Sequence, residues 1–208
     1  MRHGAICSAY FRILDGRCDW VENCTLVEVL MLAYVFVLLA IISRFLPHPA
    51  GWVQFTPLGA ALLYFGARAS LKQIWIPLAA LIAADVYLTK ASYAYPLKAD
   101  HIITWAWYAG VILLGSKLLN HRFSARRVVA ASLTASIAFF VVSNFGVWAV
   151  WDMYPKTLAG LAAAYVAAIP FFRNQAIADL LCAGAMFAVG ALLDRREEKP
   201  EPERIRAA

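Results

Sequence analysis

The chain has 208 residues, of which 62% are hydrophobic and only 15% charged, against roughly 25% charged in soluble domains. A water-soluble fold could not hide that much apolar surface. The charges gather at the ends and in short gaps between long apolar runs, the pattern of a polytopic membrane protein. The net charge of +6 does not form a basic stripe interleaved with aromatics on a polar segment. Nucleic acid is therefore excluded as a partner, and orientation in a lipid bilayer is the simpler use for the basic excess.

Residues 1 to 25 carry Arg2, Arg12, Asp15, Arg17, Asp19 and Glu22 and no run long enough for a signal-peptide core. They read as a cytoplasmic tail. Because Met31 opens an apolar run directly, part of this tail is expected to reflect a start codon placed too far upstream. Cys7, Cys18, Cys24 and Cys182 show no CxxC pair and no zinc-site spacing, and are expected to be free thiols.

Six apolar spans follow, near 26–46, 55–69, 73–89, 101–119, 127–151 and 175–193. The second is short against the roughly 20 residues a crossing needs, so it is tilted, buried in the bundle or extended by its flanks. Thr56 can cap its first amides, and Pro57 fits the first helical turn, where no N–H is required. Between spans five and six, Lys156 to Pro170 holds TLAGLAAAYVAAIP, apolar but too short to cross. It reads as a re-entrant or surface-lying helix. The predicted fold is thus all-α: an integral membrane bundle of six transmembrane helices over 26–194, followed by a disordered charged tail over 195–208.

Lys and Arg are held back on the cytoplasmic side of membrane proteins. With the N-terminus inside, fourteen of them fall inside, and five, Arg44, Lys90, Lys98, Lys156 and Arg173, fall outside. Six spans then leave both termini in the cytoplasm. An odd count would weaken the bias.

Ionisable groups at mid-bilayer cost about 2.5–3.5 kcal/mol on insertion scales and invite a functional reading. In this topology Asp85, Asn144 and Asp179 lie roughly 6–10 Å below the outer edge of three different spans. Tyr87, Trp105, Tyr108 and Trp148 stand at similar depth, and Thr56 marks the outer start of span two. Aromatic walls with a few aimed polar groups suit a small-molecule site, although interfacial aromatic belts also explain single Trp residues. The inner half carries no comparable set. The carboxylates favour a cationic solute, whereas the helix start at Thr56 favours an anion.

Other polar residues have simpler uses. Asn174 and Asp100 read as N-caps of spans six and four. Asp152, beside a helix C-terminus, would either pair with Lys156 or be solvated. His48 and His101 lack a third ligand, so no metal is expected. Small residues at Gly59 and Gly66, at Ala131, Ala135 and Ala138, and at Gly184 and Ala188 read as internal packing faces, with a partner interface as the alternative.

The stretches RFLPHPAGWVQFTPLGA from Arg44, AADVYL from Ala83, SNFGVWAV from Ser143 and MYPKTLAGLAAAYVAAIPFFRN from Met153 resemble an uncharacterised bacterial family of membrane transport proteins. That family is itself similar to the substrate-binding S components of energy-coupling factor (ECF) transporters. The resemblance implies a micronutrient-binding subunit of the bacterial cytoplasmic membrane, capturing a vitamin-like solute from outside. An ECF transmembrane coupling protein and ATPase subunits would energise it, since this chain has no GxxxxGK[ST] loop. Many S components dock through an Ala-xxx-Ala pair on the first helix; here span one offers Ala33 and Ala40, seven apart. No cofactor and no catalytic residue is expected. Without HExxH, GxSxG or a nucleophile beside a base, an intramembrane enzyme acting on a lipid or isoprenoid is the weaker alternative. A ligand-free membrane assembly factor is another.

Overall fold

A computed structural model describes residues 20–46, 56–92, 94–119 and 124–197, with side chains between Val27 and Asp194. The 1–19 and 198–208 portions of the tails lie outside the described residues. Six α-helices occur among those described: α1 Trp20–Ser43, α2 Leu58–Arg68, α3 Trp75–Tyr87, α4 Asp100–Leu118, α5 Ala125–Val150 and α6 Leu158–Glu197. A 3-10 turn, Leu71–Gln73, leads into α3, and a π turn, Leu88–Ser92, continues it.

The short α2 is the centre of the bundle. Every residue from Leu58 to Ala67 is buried, as expected of a helix that is apolar all round. Its 11 residues span about 16 Å, roughly half the hydrocarbon thickness. Of the three options the sequence left for this segment, burial in the bundle is the one realised. Two glycines let α4 come close: a Cβ at Gly66 would strike the Ile112 carbonyl, and one at Gly115 would strike the Leu63 carbonyl. This reciprocal backbone contact is how small residues hold helices together in lipid. Edge-on ring contacts, Tyr34 with Phe65 at 5.2 Å, Phe36 with Tyr64 at 5.0 Å and Tyr64 with Phe187 at 5.1 Å, join α1 and α6 to the same core.

Three stretches, Leu71–Ser92, Ala125–Val150 and Leu158–Asp194, are long and apolar enough to cross a membrane. On α5 the outward positions Val129, Leu133, Ile137, Val141 and Phe145 are all exposed. A contiguous apolar stripe of this kind suits lipid better than water. Ala33 and Ala40 point the other way, each 0% exposed, so the seven-residue pair on the first helix packs inside the bundle.

The separate re-entrant or surface helix expected over 156–170 does not form. Leu158 to Glu197 is one helix of 40 residues, with Pro170 inside it. The start signal is Thr157, whose hydroxyl accepts the Gly160 amide at 3.1 Å, so Asn174 lies mid-helix rather than at an N-cap. The first turns of α6 are tied to α5 by the Tyr165 hydroxyl, which donates to the Val141 carbonyl at 2.8 Å, and by Phe140 packed on Tyr165 and Phe172. Neighbouring helix thus supports the backbone where Pro170 removes a hydrogen bond.

Lys156 does not pair with Asp152. Its ammonium donates to the carbonyls of Trp148 and Trp151, satisfying free acceptors at the end of α5, where a cation is also favoured by the helix dipole. Lys156→Met should therefore lower stability by about 1 kcal/mol, read as a lower melting temperature in detergent. An unchanged melt would exclude the capping role.

Candidate functional site

The buried face of α3 runs through Pro77, Leu81, Ala84 and Asp85, so helical periodicity carries a carboxylate into an apolar core. Asp85 is 4% exposed, and a charge there must be paired and hydrogen-bonded. Arg44, just past the end of α1, supplies the counter-charge: its Nη1 lies 2.5 Å from Asp85 Oδ1. The other oxygen, Oδ2, accepts the Tyr108 hydroxyl at 2.9 Å and the Trp105 indole N–H at 3.1 Å. Arg44 Nη1 also donates to the Tyr108 oxygen at 3.2 Å, closing a four-residue network across α1, α3 and α4.

Asp179, 1% exposed on α6, is held differently, and its Oδ1 is buried without a hydrogen-bond partner. The Ser136 hydroxyl of α5 donates to its Oδ2 at 2.7 Å. Gln175 and the backbone amides of Gly59 and Ala60, in the first turn of α2, face the same carboxylate. A Cβ at Gly59 would stand 2.5 Å from Asp179 Oδ1, so glycine there is what lets the carboxylate reach the helix start. The N-cap position of α2 is Pro57, with no side-chain cap bond. Thr56 therefore does not cap α2; the positive helix end that seemed to await an anion already holds one from its own chain.

The two carboxylates share a depth. Trp107, on the same turn of α4 as Trp105 and Tyr108, donates to the Ala135 carbonyl at 3.0 Å. Ala135 is the neighbour of Ser136, which binds Asp179. A polar belt thus crosses the bundle through α4 and α5, bringing Asp85 and Asp179 to one level on separate partners.

Asp85, Trp105 and Tyr108 are assembled as a set; the other predicted site residues are not part of it. Asn144 donates its Nδ2 to the Phe140 carbonyl of its own helix at 2.7 Å. Trp148 donates to the Pro155 carbonyl at 2.9 Å, serving the turn between α5 and α6. Tyr87 is 59% exposed and rests on Phe45 at 5.9 Å between ring centres, a rim position beside Arg44. Arg44 itself is the residue that sequence reading missed, since it was counted only as a cation on the outer surface. The signal was present, because a buried Asp on a membrane helix demands a cation and Arg44 is the basic residue closing the first span.

Asp100 opens α4 as its first residue, following Ala99 at the N-cap position. Its carboxylate instead accepts the Trp151 indole N–H at 3.0 Å and lies 3.3 Å from His101 Nδ1. His101 Nε2 meets the Thr89 hydroxyl at 3.1 Å, and Lys98 sits 3.9 Å over the Trp151 ring. These contacts fasten the 94–99 connection onto α4 and α5. Among the described residues no group of three or more His, Cys, Asp or Glu side chains is placed to hold a metal; His48 lies outside them, as do Cys7 and Cys18. Cys182 is a free thiol.

The half of the bundle that offered no comparable polar set contains a cavity of about 390 Å³ between α5 and α6. It is lined by Ala125, Val129, Ser132, Leu180, Gly184 and Ala188, among others.

No curated protein and no solved structure matches the chain. A family model, described as a family of unknown function (DUF6580), matches residues 25–201. That stretch contains all six helices except the first turn and a half of α1, and every residue of the Arg44–Asp85–Tyr108–Trp105 network, so the chain belongs to this family of unknown function.

Proposed function

We propose that the protein is the substrate-binding subunit of a small-molecule uptake system in the bacterial cytoplasmic membrane, similar to an ECF S component, with six membrane-crossing helices and both termini in the cytoplasm. The observation that carries this reading is the buried Arg44–Asp85–Tyr108–Trp105 network. Two charges and two aromatic donors are collected from three helices at a depth where burying them has a cost that packing alone gives no reason to incur. Asp85 Oδ2 accepts from two neutral donors, of which a solute hydroxyl or amine can replace the Trp105 indole while the Tyr108 hydroxyl keeps the carboxylate in place, and the rings of Trp105 and Tyr108 offer stacking area. The solute would enter beside Tyr87 and Phe45 at the rim. Energy would come from an ECF coupling protein and ATPases. Because Ala33 and Ala40 are buried, such a partner would have to dock on another face.

The full pairing of Asp85 and the internal contacts of Asp179 favour a second reading, a ligand-free assembly factor. Binding separates the two. Purified protein should retain, or bind by calorimetry, one member of a panel of vitamins and related micronutrients. Tyr108→Phe should weaken that binding about tenfold, the loss of one hydrogen bond to a charged group, while Asn144→Ala leaves it intact. If no panel member binds, or Tyr108→Phe has full affinity with an unchanged melt, the uptake reading fails and the assembly role stands.

A further inference from the structure

The cavity between α5 and α6 is lined almost wholly by apolar side chains. Its walls are the Ala125, Val128, Val129 and Ser132 face of α5 and the Leu180, Ala183, Gly184, Phe187, Ala188 and Ala191 face of α6. From Leu180 to Ala191 is about 16 Å of helix. Spread over that length, about 390 Å³ gives a cross-section of about 24 Å², whereas a helix with its side chains is about 10 Å across. The groove is wide enough for a hydrocarbon chain and too narrow for another helix. It faces outward, since Val129 is 47% exposed and Gly184 and Ala188 are exposed too.

Among these lining residues Ser132 carries the one polar side chain. Ser132 is 0% exposed, and its hydroxyl has no hydrogen-bond partner. A buried hydroxyl without a partner is a rarity that calls for an explanation. At the Ala125 end, Arg126 and Arg127 follow in the first turn of α5, both exposed. The 26 residues of α5 measure about 39 Å against about 30 Å of hydrocarbon, which places these arginines at headgroup level and Ser132 about one turn inside. A phosphate suits the arginines, and the first turn of α5 adds its amide dipoles. An ester carbonyl suits the hydroxyl.

We propose that this groove holds one acyl chain of an anionic membrane lipid, its phosphate against Arg126 and Arg127 and its ester carbonyl accepting the Ser132 hydroxyl. The site is distinct from the Asp85 network and stands whether or not the protein carries a solute.

Native mass spectrometry of the full chain, titrated in detergent with phosphatidylglycerol or phosphatidylcholine, tests it. The unmodified protein should retain one phosphatidylglycerol with about tenfold preference over phosphatidylcholine. Gly184→Leu fills the groove where a Cβ meets nothing within 4 Å, so it should fold normally and lose retained lipid about tenfold or more. Arg126→Gln should erase the headgroup preference while leaving chain binding, and Ser132→Ala should weaken both lipids alike. Equal retention of the two lipids by the unmodified protein would overturn the proposal. So would undiminished lipid on Gly184→Leu, or a dimer that Gly184→Leu dissolves without affecting lipid.

Discussion

Arg44→Gln should be among the most damaging single substitutions in this protein. Asp85 is 4% exposed, and Arg44 is its charge partner at 2.5 Å; removing one member of such a pair strands the other charge and costs about 3–5 kcal/mol. The Arg44 side chain keeps 22% of its surface exposed, so water reaches part of the pair and the lower end of that range applies. The loss would appear as a large drop in melting temperature in detergent. Adding Asp85→Asn should restore most of it, because an amide oxygen still accepts from Tyr108 and Trp105 while the stranded charge is gone. A double variant no more stable than Arg44→Gln alone would show that Arg44 acts through packing rather than charge.

Gly66→Val should be comparably severe for a different reason. The new side chain would enter the Ile112 carbonyl, a backbone atom that cannot turn aside, so α2 and α4 must separate. Overpacking costs typically about 1–3 kcal/mol, and the reciprocal contact of Gly115 with the Leu63 carbonyl would open with it. Gly110 is the matched control: on α4, a Cβ there meets nothing within 4 Å. Gly110→Ala should raise stability by up to about 1 kcal/mol through helix propensity alone. Thermal melts of the two variants side by side decide the matter, and a Gly66→Val protein as stable as the unmodified one would rule out close α2–α4 packing.

How the carboxylates are used shows where one-dimensional reasoning stops. Their presence on two apolar spans is a matter of composition and depth, and both Asp85 and Asp179 are buried in the bundle. Asn144 was grouped with them because depth along a helix can be counted, whereas the direction a side chain takes around the axis depends on which neighbour it packs against. On α5 that direction lets Asn144 return to its own backbone at Phe140. Ser136 lies two turns earlier on the same helix and was overlooked, since a serine in a membrane helix ordinarily bonds its own backbone. The Ser136 hydroxyl lies 3.0 Å from the Ser132 carbonyl but only 2.7 Å from Asp179 Oδ2, and its single proton serves the carboxylate.

Sequence alone determined that the chain is an apolar helical bundle, where most of its helices lie, and that charge is buried within it, because hydropathy and periodicity are local properties of the chain. Tertiary structure decided the rest. It set the short α2 at the centre, where glycines admit α4. It carried one helix through Pro170, because α5 and Thr157 support the backbone on either side of the break. It matched Asp85 to Arg44, 41 positions away in sequence, and Asp179 to the start of α2. Each of these depends on which faces meet when helices pack, and a buried charge finds its partner only in that geometry.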